Sequence, residues 1–577
     1  MNELRNSALD GNVIVTTAPN WFKDRLWLWL VLCLFFLLIC FVNPIREVTT
    51  SDDFAYARTL RHLLETGQYQ LDDWCSANMP VQAYWGLCFV KIFGYSFSVL
   101  TLSTLVLLAL GLLAFYALLR EQRLNDAEAS LLTLALLSSP RVLFLSFTFM
   151  TDVQFLAWLL IALWLYVRGL NRSSLVTVLL ASVAAAGAIG TRQFGMALVA
   201  GLLAAWALDK RRWRKLTFYA TGLALPILFT AWQLWFTSAG PTFFMTINLN
   251  LQSEYLHDLP KLVLASLWRV TVILQIVGFF LMPLMLSLVW TVIKLNVFPS
   301  QTNPCEVRVV KLCGFSPGLF LSLIGWTVFI SLGVFYGCMT QSDVMLNWLR
   351  HFAYFYRHGY VVIVPWTLVT AGCAIFLGWF YSSAFQRGYW TPVTPTRTFL
   401  TSTALTLLAL TLICAGFWDR YVIPFLPFAI LALAPLVRAW RPWCRLLALV
   451  STLLMLMASA LFSRGVLEEH EASWKAAEAV RSAGVPSEQI HATWAWNGYH
   501  GSFQDWIMDV RGQDVKDVSS FFYGEWHIQR KNRASYWIVQ STNPPAGESW
   551  QVLDRIPRRG YFLGRQYTYV VKRVQLP

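Results

Sequence analysis

The side chains in this sequence best suited to chemistry are the adjacent carboxylates Asp52 and Asp53, a third acid at Asp152, and the cations Arg192 and Arg420. Each stands at the end of an apolar run. Asp52 and Asp53 follow the first run by about ten residues, Asp152 falls in the turn from Phe147, Arg192 interrupts Gly190-Thr191-Arg192-Gln193, and Arg420 opens a later run beside Asp419. Paired carboxylates at the mouth of a helix bundle suit proton or cation chemistry. Acids and bases at one depth imply mutual pairing or an anionic ligand, because an isolated buried charge is costly. A plainer explanation competes at each position. Asp152 suits a helix N-terminus capped by Thr151, and Arg420 suits a side chain reaching for headgroups.

The elements that must position these residues are apolar helices. The chain of 577 residues is 57% hydrophobic and 13% charged, with long apolar windows recurring from Leu26 to Phe462. Windows near 20 residues read as membrane spans. Thirteen are expected, at 26–42, 98–118, 129–147, 153–168, 174–190, 193–208, 216–236, 262–292, 317–337, 360–381, 397–415, 421–437 and 443–462. The division expected is a transmembrane catalytic domain at 1–465, with outer-loop helices within 43–97, and a soluble extracytoplasmic domain at 466–577. The first run is preceded by a polar head, flanked by Lys23 and Arg25 and followed by no small-residue cleavage site, so it reads as a retained span.

Net charge is +14, much of it in short loops such as Lys210-Arg211-Arg212-Trp213-Arg214-Lys215. One short loop cannot wrap a duplex, so nucleic acid is excluded in favour of positive-inside topology and attraction to anionic headgroups. Arg120 and Arg123, Arg168 and Arg172, the 210–215 cluster, Lys294, Arg308 and Lys311, Arg387, and Arg438, Arg441 and Arg445 occupy alternate gaps. That alternation implies a cytoplasmic N-terminus, an extracytoplasmic C-terminal domain and a plasma (inner) membrane protein of many passes. Ten cysteines show no CxxC pair; Cys75 and Cys88 share the first outer loop, which weakly favours a disulfide.

That first loop is too long for a plain connection. Asp53–Glu65 reads as an amphipathic helix with Phe54, Ala57, Leu60, Leu63 and Leu64 on its apolar face, and Pro80–Phe93 as a second segment carrying Tyr84, Trp85 and Phe89. Two helices along the membrane face form a rim over a cavity suited to a lipid headgroup.

Four stretches in order resemble the GT-C class of integral membrane glycosyltransferases, in the branch of protein O-mannosyltransferases and the lipid A aminoarabinose transferase (family 39). They are Thr50-Ser51-Asp52-Asp53-Phe54-Ala55-Tyr56, Phe149-Met150-Thr151-Asp152-Val153-Gln154-Phe155, Gly190-Thr191-Arg192-Gln193, and Asp419-Arg420-Tyr421-Val422-Ile423-Pro424-Phe425-Leu426-Pro427. The resemblance covers residues 20–465 and implies a polytopic α-helical GT-C-like fold. It also implies inverting transfer of a sugar from a polyprenyl-phosphate-linked donor to an envelope lipid, glycan or secreted-protein acceptor at the outer face.

Under that reading Asp53, or else Asp52, is the base that takes the acceptor hydroxyl's proton, Asp53 being favoured because it begins the first loop helix. Asp152 orients the acceptor, holds a cation or shares a divalent metal. No DxD spacing and no zinc signature accompany it, so no metal ligand is assigned, although Mg²⁺ or Mn²⁺ would suit the acids and phosphate. One departure from the family concerns the phosphate. Relatives carry Lys-Pro-Pro before an aromatic pair, and this chain reads Asn78-Met79-Pro80-Val81-Gln82-Ala83-Tyr84-Trp85. Arg420, Arg192 and Arg58, in that order, are the expected replacements for the lysine as phosphate ligands. Tyr56, Tyr84, Trp85, Tyr421, Arg350 and His351 complete the expected donor and acceptor pocket. The rival functions are a lipid-linked saccharide flippase or polymerase, which needs no base, and a transporter, which should show related halves.

After residue 466 the composition changes. Glu468–Ser482 reads as a helix with Trp474, Ala477 and Val480 on one stripe, and Ser535–Val539 and Tyr561–Val574 read as strands of a small α/β or α+β domain. Trp494, Trp496, Tyr499 and His500 are offered as core packing in preference to a sugar-binding face.

Overall fold

The computed structural model describes residues 25–284, 287, 394–414, 417–438, 440–500, 534–541, 550–559 and 565–574. Helix α1 (Leu26–Val42) precedes two helices of the first long loop, α2 (Asp53–Thr66) and α3 (Pro80–Phe93). Then follow α4 (Phe97–Glu121), α5 (Asp126–Ser138), α6 (Pro140–Ser146), α7 (Thr151–Arg172), α8 (Leu175–Ile189), α9 (Met196–Leu208), α10 (Leu216–Ala239), α11 (Phe243–His257) and α12 (Leu259–Phe280). After the residues that are not described come α13 (Pro395–Ile413), a 3₁₀ turn (Asp419–Phe425), α14 (Leu426–Arg438) and α15 (Pro442–Ser482).

The protein is a polytopic α-helical membrane protein, but the expected count of thirteen spans is corrected. Among the described residues five helices are long and apolar enough to cross a membrane, or six if the bent pair α5–α6 counts as one. The physical reasons differ along the chain. The run 129–147 breaks where Pro140 lacks an N–H, and α5 and α6 meet at 71°. The runs at 26–42, 174–190 and 193–208 are apolar helices too short to qualify. The run 262–292 supplies a helix that ends at Phe280, and the runs 317–337 and 360–381 lie outside the described residues.

The loop helices form where their caps and apolar residues require. Helix α2 stops at Gly67, whose φ of 74° is left-handed and costs an L side chain strain. It buries Phe54, Ala57, Leu60 and Leu63, while Leu64, expected on that face, is exposed. Helix α3 starts at Pro80, which needs no helical partner for its absent N–H. The Trp85 indole donates to the Ser103 carbonyl at 2.9 Å, pinning α3 to α4. Cys75 is buried, Cys88 is exposed and both are free thiols, so the first-loop disulfide does not form.

The C-terminal part is a small β-sheet domain on the end of α15. That helix runs unbroken through residues 465 and 466 and buries Trp474 and Ala477, with Val480 partly covered. Strands β1 (Ile490–His491), β2 (Tyr536–Ser541), β3 (Trp550–Arg559) and β4 (Arg565–Arg573) form one sheet in the order β1-β2-β4-β3. The β1–β2 pair is parallel and the others are antiparallel. A short helix α16 (Trp494–Tyr499) lies against α2, and Trp496 is fully buried as core.

Candidate active site

Four chain segments meet at one end of the bundle. Asp52 stands just before the first residue of α2, Asp152 lies in the first turn of α7, Arg192 follows the end of α8, and Arg420 and Tyr421 lie in the 3₁₀ turn. Helix α3 holds two of these segments at once. The Gln82 side-chain amide donates to the Phe149 carbonyl at 2.7 Å, and the Val81 N–H donates to the Gly190 carbonyl at 3.0 Å. These bonds fix the turns before Asp152 and before Arg192. Asp419 forms an ion pair with Arg141 of α6, which anchors the 3₁₀ turn and leaves Arg420 to face the site.

Two ion pairs result. Arg420 donates from Nη2 to Asp52 Oδ2 at 2.9 Å, and Arg192 pairs with Asp152. The other Asp52 oxygen accepts from the Trp74 indole N–H at 3.0 Å. Arg192 stacks over Tyr421, with 4.9 Å from its guanidinium carbon to the ring centre, and Arg420 lies 5.4 Å over Trp418. Tyr56 is buried within electrostatic reach of Asp52, Arg420 and Arg192, and Arg420 also feels Asp152. The pairs therefore form one cluster. Asp152 Oδ2 and Arg420 Nε are buried without a hydrogen-bond partner among the described residues. Such orphaned atoms are costly, which favours a polar ligand at this point.

The two adjacent aspartates sit in different surroundings. Asp53 is 3% exposed, and its Oδ1 accepts from the Thr50 and Ser51 N–H groups at 3.0 and 2.8 Å. Burial pushes its carboxyl up to about 6, against the downward pull of those two N–H groups. It shapes the turn into α2. The Asp52 side chain is 21% exposed beside the Arg420 cation. The sequence reading favoured Asp53 as the proton acceptor; access and charge environment favour Asp52.

Other expected site residues lie apart from the cluster. Arg58 pairs with Asp72 at 3.0 Å and donates to the Gly498 carbonyl at 3.0 Å, so it ties α2 to the C-terminal domain. Tyr84 stacks with Tyr69 at 6.1 Å, and Trp85 packs on Phe89 and Trp158. Arg350 and His351 lie outside the described residues. At the position of the missing lysine, the buried Asn78 amide donates to Gln233 Oε1 at 3.0 Å and Thr237 Oγ1 at 2.8 Å, stapling the loop to α10.

Two residues escaped the sequence reading. Trp74 sits in an aperiodic stretch with no motif to mark it. Arg269 was visible as a charge within an apolar run; it is 3% exposed, donates to the Leu412 carbonyl, and acts on Cys414 together with Arg192. Arg269 and Arg192 thus both act on Cys414, just past the end of α13. Among the described residues no group of three or more His, Cys, Asp and Glu side chains could hold a metal ion.

Residues 78–235 match the family profile of dolichyl-phosphate-mannose-protein mannosyltransferases. The matched stretch contains Asp152 and Arg192, and with them two of the four motifs on which the resemblance to the GT-C class rests. No curated protein matches the sequence. Among solved structures the chain is similar to ArnT from Cupriavidus metallidurans bound to undecaprenyl phosphate, at 13% identity and a TM-score of 0.46, covering 96% of this chain and 98% of that one. It is also similar to the apo state of the same protein, at 15% identity and a TM-score of 0.40, over 94% and 97% of the two chains. A third similarity is to the archaeal oligosaccharyltransferase AglB from Archaeoglobus fulgidus in complex with an inhibitory peptide and a dolichol-phosphate. There the identity is 11%, the TM-score 0.40 and the coverage 90% and 70%.

Proposed function

We propose that this chain is a polyprenyl-phosphate-sugar-dependent glycosyltransferase, moving a sugar to an envelope lipid, glycan or secreted-protein acceptor with inversion at the anomeric carbon. The observation that carries the reading is the double ion pair Asp52–Arg420 and Asp152–Arg192, with an unpartnered nitrogen on Arg420. The family match over residues 78–235 supports it.

The chemistry follows from the charges. The donor phosphate competes with Asp52 for Arg420, whose Nε has no partner of its own. Arg420 passing to the phosphate stabilises the leaving group and releases the Asp52 carboxylate. The acceptor oxygen attacks the anomeric carbon, the bond from that carbon to the phosphate oxygen breaks, and its electron pair leaves with the phosphate. The hydroxyl proton passes to Asp52. Asp152 holds Arg192 toward Tyr421 and keeps one oxygen for the acceptor. A flippase or transporter has no need of a partly exposed carboxylate placed in this way.

Arg168, Arg172, Lys215 and Arg445, gathered at the end of the bundle opposite the site, support a cytoplasmic face there and hence an extracytoplasmic site in a plasma-membrane protein. The phosphate role is tested by Arg420→Ala. Donor binding should weaken by roughly 2–5 kcal/mol, the loss expected for a desolvated charge contact. Unchanged binding of undecaprenyl phosphate by the folded variant would move that role to Arg192 or Arg269.

A further inference from the structure

We propose that Trp74 is a positioning residue that ties the Asp52 carboxylate to the C-terminal domain through the Arg58–Asp72 pair. The proposal rests on the reading of Asp52 as the proton acceptor. The connection is a chain of hydrogen bonds and one ion pair. The carbonyl of Gly498 in α16 accepts from Arg58 Nη1 at 3.0 Å. Arg58 Nε meets Asp72 Oδ2 at 3.0 Å, Asp72 Oδ1 accepts the Trp74 backbone N–H at 3.1 Å, and the Trp74 indole donates to Asp52 at 3.0 Å. The Trp74 ring is wedged between Phe244, 4.5 Å away, and Trp494 of α16, 5.3 Å away. The indole is therefore held from the same helix that receives Arg58.

Contact between α16 and α2 is close enough to transmit a shift. A Cβ at Gly498 would lie 2.3 Å from Phe54 Cζ, so only glycine admits this approach. Phe54 is fully buried and follows the aspartate pair directly. The C-terminal domain thus sets the pose of the acid at two points, the α2 backbone and the Trp74 N–H.

The consequence for the reaction is specific. When Arg420 moves to the phosphate, Trp74 is the donor that remains on Asp52. A donor held on one oxygen fixes the carboxylate's orientation and leaves the other oxygen for the incoming proton. Other groups facing Asp52 are Arg420 from the 3₁₀ turn, Asp53 and Tyr56 from α2, and Cys75 from the following loop, with Asp72 one step beyond. The substitutions below leave all of these in place.

Trp74→Phe keeps the ring packing and deletes the N–H. The full-length chain is assayed in membranes of its source cell, which supply the endogenous donor and acceptor, and product is the mass difference from membranes without the chain. Transfer at neutral pH should fall about tenfold through the loss of the indole N–H that poses the carboxylate, and the pH profile of transfer should move toward higher pH. Binding of undecaprenyl phosphate should stay within roughly twofold, since Arg420 is untouched. Gly498→Ala, which drives α16 from Phe54 without touching Asp52, should move the pH profile in the same direction by less. Arg61→Gln, which removes the 3.2 Å bond to Tyr499 outside the relay, should leave the profile alone.

A native pH profile in folded Trp74→Phe would overturn the proposal. If that variant does not fold, a native profile in Gly498→Ala would overturn it. A shift in Arg61→Gln as large as in Gly498→Ala would also overturn it, by making any loosening of the tail sufficient. Full transfer by Asp52→Asn would instead end the underlying reading of the base. An inactive Asp52→Asn beside an unmoved Trp74→Phe would end only the relay.

Discussion

The two ends of the helical bundle carry similar charges in different settings. At the end opposite the site, Glu121 meets Arg168 at 3.4 Å and Arg172 at 3.5 Å, and Asp209 meets Tyr219 Oη at 3.0 Å and Lys215 at 3.8 Å. Glu128 closes a capping box with Asn125 and takes Arg445 at 2.7 Å. These charges finish helix ends, and their cations reach water: the Arg168 side chain is 36% exposed and that of Arg172 57%. At the site end, Arg192 is 9% exposed and Asp152 1%, and the partner of Asp52 comes from 368 residues away. Helix capping explains the first set. It does not explain why the second holds Arg192 buried and Arg420 largely out of water, against acids and with an unpartnered atom on each of Arg420 and Asp152, as the proposed phosphate-bearing substrate would.

The contrast can be broken by substitution. Arg192→Ala strands the buried Asp152 and should cost about 3–5 kcal/mol in thermal or denaturant unfolding of the detergent-solubilised protein. An effect below about 1 kcal/mol would mean that the site pair is as solvated as those at the opposite end.

Asp53 sharpens the same contrast by pH. Its carboxyl is raised from 3.8 to about 6, so the folded chain holds this proton more tightly than the unfolded chain. The resulting stabilisation is complete below about pH 4 and is lost as pH rises through 6. Asp53→Asn keeps an oxygen for the Thr50 and Ser51 N–H groups without the buried charge. Above pH 6 it should be more stable than the native chain by on the order of 3 kcal/mol, and the advantage should vanish below pH 4. A variant less stable than the native chain at neutral pH would show that the charge itself is needed for the turn.

The smallest effect is expected at the opposite end. Arg168→Ala should change stability by less than about 1 kcal/mol and leave transfer intact.

Apolar periodicity and proline made much of this architecture legible. Helix α3 spans Pro80–Phe93 as its proline and aromatic content require, α2 runs from Asp53 one residue beyond Glu65, and α1 coincides with its apolar run. Long-range pairing was less legible. Arg58 shares the composition of a phosphate ligand, but Asp72 and Gly498 claim it. Asp52 and Asp53 are equivalent as residue types, and only the burial of one and the Arg420 partner of the other separate them. Strand β3 was missed because Trp550–Arg559 mixes Gln, Asp, Arg and Pro with its apolar residues and lacks a clean alternation. The break at Pro140 was readable from the proline, and the apolar run on both sides concealed it.

The central claim is that Asp52, not its neighbour, receives the proton while Arg420 turns to the phosphate. Its most direct test compares Asp52→Asn and Asp53→Asn as purified proteins, measuring undecaprenyl phosphate binding, and in source-cell membranes, measuring transfer. Both should bind. Asp52→Asn should lose roughly 10²–10⁴-fold in transfer, and Asp53→Asn should stay within about tenfold of the native rate. Near-native transfer by Asp52→Asn, with Asp53→Asn folded, binding and inactive, would contradict the account.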